Sequence, residues 1–280
     1  MIIPFQKDEV LLDDIRTADS VKEGFHLWWL GQSGFLLKWH DRHLLFDPYL
    51  SDSLTAKYAG TGREHVRLTE RCIDPALLRM VDVVTSSHHH TDHLDAATLI
   101  PLAADRPPLP LVLPAATLEL ARTRLGDTGL VMTELEAGQT VEVAGFSFTG
   151  LPAAHNTIER DEHGRCRFLS FIVRFGPWTV FHSGDTLWHD QLPQQLVQEQ
   201  PDVVLVPING HDASRGVAGN LNGTEAAALA KACGAALAIP HHFDMFAFNT
   251  ATPDEFTAAC TRLNQPHRVL RCGERVTFPS

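Results

Sequence analysis

The sequence predicts an α/β protein built from mixed strands, with its sheets covered on their outer faces by helices. Three observations predict it. Short apolar, β-rich runs separated by glycine or charged turns fill the first part of the chain. Strand and helix patterns alternate through the last third. Several apolar runs are followed at once by a histidine or an aspartate, as when strand ends carry a site.

Taken in order, residues 26–30, 35–39 and 43–46 read as antiparallel strands. Residues 81–85 read as a buried strand, 96–104 as a helix, 111–113 as a strand and 115–124 as a helix. The middle returns to strands at 140–149, 168–175 and 178–182. Strand 203–207, helix 224–233, strand 235–240, helix 253–263 and strand 268–270 complete the pattern. No internal repeat or low-complexity linker interrupts it, so residues 1–280 are expected to form one domain.

With 44% hydrophobic and 20% charged residues, the composition is that of a soluble globular protein with a sizeable core. No uncharged apolar run is long enough for a membrane span. The start, MIIPFQKDEVLLDDI, has neither the basic nor the apolar region of a secretory signal. Cys72, Cys166, Cys233, Cys260 and Cys272 are odd in number and scattered, which predicts reduced, mostly buried thiols. Together these features predict a cytoplasmic protein without a membrane partner. A formal charge of −11 with no Lys/Arg-rich run argues against a nucleic-acid partner and leaves a small-molecule substrate.

The stretch S-S-H-H-H-T-D-H-L-D, directly after the 81–85 run, contains His88-x-His90-x-Asp92-His93. In extended chain, residues two apart face the same side, so His88 and His90 can grip one ion. A turn into helix near Leu94 would let Asp92 and His93 face a second ion. His89 points to the other side. Three histidines at such fixed places arise by chance in about five of a hundred chains this rich in histidine. The aspartate and the preceding strand make coincidence rarer still, and imidazole and carboxylate are ligands that divalent metals accept. Further ligands must come from other strand ends. His155 in L-P-A-A-H-N, Asp185 after the turn-permitting Gly184, and His242 in A-I-P-H-H-F supply candidates.

This order, H-x-H-x-D-H, then a single His, a G-D and a final His after a strand, resembles the metallo-β-lactamase superfamily. The resemblance implies an αββα sandwich with two divalent ions at one edge between the sheets. It implies that His88, His90 and His155 hold the first ion, that Asp92, His93 and His242 hold the second, and that Asp185 bridges them. The pattern x-H-[YFW] selects His242 as the ligand and leaves His241 behind it. Asp47 in L-L-F-D-P-Y-L would orient a ligand histidine from behind.

Segments 28–35, 47–53, 207–210, 219–226 and 240–246 are similar to the ascorbate-6-phosphate lactonase group of that superfamily. This implies opening of a sugar lactone or sugar-phosphate lactone by a hydroxide generated between zinc or manganese ions. Asp92 or Asp185 would move the proton, and the protein would assemble as a homo-oligomer. The same parts would also cleave a small nucleotide or phospholipid-type phosphodiester. A non-catalytic metal-binding protein would be expected to lack a ligand, and every position is filled. For a phosphorylated substrate, Arg215 and the glycine-rich 216–223 stretch before a helix are candidate anion contacts, and Asn209 and Asn220 candidate orienting residues.

Overall fold

The computed structural model describes every residue of the chain except Ser20, Lys22 and Ser280. Strands β1 (Phe25–Gly31), β2 (Gly34–Trp39) and β3 (Arg42–Phe46) run antiparallel, with Leu27 opposite Leu37 and Leu36 opposite Leu45. From β3 the sheet continues in parallel through β4 (Val83–Thr85), β5 (Leu109–Pro114) and β6 (Leu130–Leu135). The second sheet has β7 (Thr140–Val143), β8 (Phe146–Pro152), β9 (Leu169–Phe175) and β10 (Trp178–His182) antiparallel in turn. It then runs parallel through β11 (Val203–Pro207) and β12 (Leu237–His241). The last strand, β13 (Arg275–Phe278), returns to pair antiparallel with β1.

The sheets face each other across one continuous apolar core. Phe25 of β1 meets Phe175 of β9 edge-on at 5.1 Å, and Trp39 of β2 lies 6.5 Å from Phe146 of β8. Central strands such as β9 are buried on both faces, because helices cover the outside. Helix α1 (Asp8–Thr17) turns Leu11, Leu12 and Ile15 inward. Helix α2 (Ser53–Lys57) is short; α3 (Ala96–Ala103) and α4 (Leu118–Leu125) pack on each other. Helices α5 (Gln191–Glu199), α6 (Gly223–Ala232) and α7 (Asp254–Leu263) cover the second sheet's side, with α6 against β11, β12 and α7. Asn222 and Glu225 start α6 with a capping box, each side chain accepting from the other's backbone N–H. The αββα sandwich is thus the observed architecture.

Three expected elements differ. Residues 140–149 form not one strand but the β7–β8 hairpin. Ala144 and Gly145 both adopt positive φ, the conformation a two-residue hairpin turn requires. Residues 268–270 do not form a strand: their segment meets β12 through one bridge, Ala238 to His267, and does not extend a ladder. The helix expected from 115 opens as a tight 3-10 turn before α4 begins at Leu118.

Parallel strands share a direction, so their carboxyl ends share an edge. Beyond β3, β4, β8, β10 and β12 come, respectively, Asp47, His88, His155, Asp185 and His242. Topology alone therefore gathers at one edge residues that lie almost two hundred positions apart.

Candidate metal centre

Two groups of donor atoms converge at this edge. His88, His90 and His155 form one, and Asp92, His93, Asp185 and His242 form the other; within each, the donor atoms lie within 4.8 Å of one another. Asp185 stands between them. Its Oδ2 is 3.5 Å from His155 Nε2 of the first group and 3.5 Å from His242 Nε2 of the second. Its Oδ1 is 3.3 Å from His93 Nε2. The seven expected ligand residues are the seven brought together.

The donors fit metal ions by a test the protein provides itself. His88 Nε2, His93 Nε2 and Asp185 Oδ1 are buried and have no hydrogen-bond partner. Buried polar atoms left unpaired are costly, so three aimed into one space call for a ligand. The far ring nitrogens of three ligand histidines are held in place. His93 Nδ1 lies 2.7 Å from Asp47 Oδ2, His155 Nδ1 lies 2.8 Å from the Gly219 carbonyl, and His88 Nδ1 is 3.0 Å from Ser87 Oγ. Fixing one ring nitrogen directs the other at the site.

The electrostatics agree. Burial pulls the His90 pKa down to about 4 and holds His88 well below the ordinary value, leaving both rings neutral and able to donate a lone pair. Burial also opposes charge on His242 and His93, yet Asp185 and Asp92 raise His242 to about 9 and His93 well above its usual value. The carboxylates thus concentrate enough negative potential here to hold cations of some kind.

Local backbone geometry sets this placement. Asp47 accepts from Thr85 Oγ1 at 2.6 Å, from the Ser87 N–H and from Ser87 Oγ. Gly184 has φ +56, and a Cβ there would stand 2.6 Å from Ser87, so only glycine lets the chain turn after β10 and deliver Asp185. His242 and Gln32 also adopt positive φ, and the His242 N–H donates to the Gln32 carbonyl at 3.0 Å. His241, its neighbour, points back into the core. It stacks on His182 at 5.3 Å and lies 3.3 Å from Ser33 Oγ and 3.2 Å from Ser183 Oγ.

Gln32 is a site residue that sequence reasoning passed over. Its Nε2 donates to Asp92 Oδ2 at 2.8 Å and lies 3.0 Å from His242 Nε2. The signal was present, since Gln32 follows β1 at the same edge of the fold. A cavity of about 400 Å³ opens over the donors, floored by Asp92, Asp185 and His242 and walled by side chains from α2, α4 and the loops. Arg215, Asn209 and Asn220 do not line it. Arg215 Nη1 donates to the Asn209 carbonyl and to Asn249 Oδ1, and Asn220 donates to Asn209, which donates to Asn249. The three stand behind the wall and position Asn249, which does line the cavity. The cause is burial: Asn209 and Asn220 are buried, and their amides pair with each other and with Asn249 rather than reaching the cavity.

The chain is similar to known proteins in sequence and in fold. Residues 42–243 match the family model described as the beta-lactamase superfamily domain, and the chain belongs to that superfamily. A UPF0173 metal-dependent hydrolase of Methanoregula boonei is 30% identical over 243 residues, covering 85% of this chain and 90% of the relative. One from Thermoplasma acidophilum is 26% identical, covering 84% and 91%. In structure, the chain resembles an isothiocyanate hydrolase from Delia radicum gut bacteria, with a TM-score of 0.72 at 18% identity, covering 90% of this chain and 99% of that one.

Proposed function

We propose that this metal-dependent hydrolase of the metallo-β-lactamase fold opens the ring of a sugar lactone or sugar-phosphate lactone, with two divalent ions, zinc or manganese, held by the seven residues described. The observation that carries the reading is the position of Asp185, within 3.5 Å of donors in both groups. When bound, such ions supply Lewis acidity, polarising a carbonyl oxygen and lowering the pKa of a water toward neutrality. His88, His90 and His155 hold one position, and Asp92, His93 and His242 the other.

The chain's own residues account for the remaining steps. Asp185, only 4% exposed, keeps the two groups at a fixed separation. Asp92 is 15% exposed against 4% for Asp185, so it is the more open of the two carboxylates on the cavity floor and the one assigned to meet the substrate. As water oxygen adds to the ring carbonyl carbon, the Asp92 carboxylate takes the proton. It returns that proton to the ring oxygen as the C–O bond breaks, yielding a hydroxy acid. Gln32, donating to Asp92 Oδ2, fixes the carboxylate's orientation for both transfers. The lactone half of the reading rests on the similarity of segments such as 47–53 and 240–246 to the lactonase group.

Assay of the zinc- and the manganese-loaded protein against a sugar-lactone phosphate and against bis-p-nitrophenyl phosphate tests it. Lactone turnover well above diester turnover is expected. Turnover of the diester alone would replace the lactonase with a phosphodiesterase on the same site.

A further inference from the structure

The cavity over the donors carries charge that the ligand groups do not use. Lys57 at the end of α2, Arg63 in the loop beyond it and Arg124 near the end of α4 all line the wall. Each contacts neutral oxygens. Lys57 Nζ donates to Thr91 Oγ1 at 3.3 Å, Arg63 Nη1 to the Gly216 carbonyl at 3.2 Å, and Arg124 Nη1 to the carbonyls of His89 at 2.6 Å and Leu94 at 3.0 Å. Asp95, the acid that acts on Arg124 through space, already accepts from Ser51, Ser53 and Thr98. Among the described residues the only acids lining the cavity are Asp92 and Asp185, and both belong to the donor groups. In a chain with 34 acidic and 23 basic residues, three cations around one cavity with no salt-bridge partner among the described residues run against the composition.

The wall also has an aromatic part. Tyr58 stacks on His65 with centroids 4.4 Å apart and planes at 23°. His65 in turn meets Phe246 and Phe248 edge-on at 5.1 and 5.2 Å. These four rings line the same cavity as the cations and offer it aromatic faces and edges.

We propose that the substrate is a planar-faced ring bearing, besides the group that is hydrolysed, a second anionic group, a carboxylate or a phosphate, received by Lys57, Arg63 and Arg124. The ring lies against the Tyr58–His65–Phe246–Phe248 surface while the scissile group sits on the donors. This inference rests on the hydrolase reading of the site and narrows its substrate. Guanidinium and ammonium groups without carboxylate partners are the means by which proteins select such anions, and a water-shielded pocket strengthens the selection.

Calorimetric titration of the zinc-loaded protein with compounds that cannot be hydrolysed tests this apart from turnover. Benzoate offers one anion, which the donor site can satisfy. Terephthalate, isophthalate and 4-phosphonobenzoate add a second on the same ring. At least one of these dianions is expected to bind about tenfold more tightly than benzoate, and the better of the carboxylate and phosphonate probes identifies the preferred anion. Lys57→Gln and Arg63→Gln, both at exposed positions where folding is safe, should erase most of that gain and leave benzoate binding unchanged. Trans-cyclohexane-1,4-dicarboxylate, with the charges but no flat ring, should bind more weakly than terephthalate. Dianions no tighter than benzoate, or variants that weaken benzoate equally, would overturn the anion site. Equal binding of the cyclohexane and benzene diacids would overturn the planar ring. Failure of the hydrolytic reading would show in the turnover assays alone.

Discussion

The Asp185 carboxylate is the counter-charge that both donor groups share, since its oxygens stand 3.3 to 3.5 Å from His93, His155 and His242, whereas Asp92 reaches only His93 and His242. Asp185→Ala is therefore expected to abolish turnover and to lower metal content at both positions. Two ions retained with full activity would remove Asp185 from the bridge. The neighbouring histidines separate just as sharply. His242→Ala removes a donor of the second group, whereas His241→Ala removes a ring stacked on His182 in the core. The first should cost activity far more than the second, which should chiefly lower the melting temperature. Asp47→Asn keeps the shape but weakens the hold on His93 Nδ1, so metal affinity should fall about 10- to 100-fold in a competition titration with a chelator. The positions of Asp47, Asp185 and His242 at strand ends were legible from sequence because each follows an apolar run. Gln32 was less legible, since an amide in a tight turn has no ligand signature of its own.

At the scale of elements, the turn after β10 shows how closely backbone and chemistry are joined. Gly184→Ala would place a methyl group 2.6 Å from Ser87 at a φ of +56, displacing the serine that supports Asp47. A loss of about 1–3 kcal/mol in denaturant unfolding is expected, together with weaker metal binding. Unchanged stability would mean that the turn relaxes without disturbing Ser87. Strands with unbroken apolar runs, such as β10 and β11, could be bounded from the sequence to the residue. The β7–β8 hairpin could not: apolar residues fall at 141 and 143 and then at 146 and 148, and the turn where the alternation shifts phase is only two residues long. Helix α5 and strand β13 escaped for another reason. Their polar residues, Gln191, Gln194 and Gln195 in one and Arg275 and Thr277 in the other, hide short apolar stripes that only the packed partner reveals.

The molecule as a whole places its donors on strand ends of both sheets, so any ion held there ties the two halves of the sandwich together. A ligand that binds only the folded state stabilises it by mass action. Treatment with a chelator should lower the melting temperature by several degrees, and zinc or manganese should restore it. A melting curve indifferent to chelator would show that the donors hold nothing under those conditions. The metal site was readable in the chain because its ligands fall in local motifs. The cavity wall was not, because Lys57, Arg63, Arg124 and Phe248 come from a short helix, a loop, a second helix and another loop, with no shared spacing. No helix among the described residues is long and apolar enough to cross a membrane. If seven side chains build one site for two ions, elemental analysis of protein purified without chelator and reloaded with zinc or manganese should find about two ions per chain, falling below one in Asp185→Ala. A chain that holds no ion under any loading condition would contradict it.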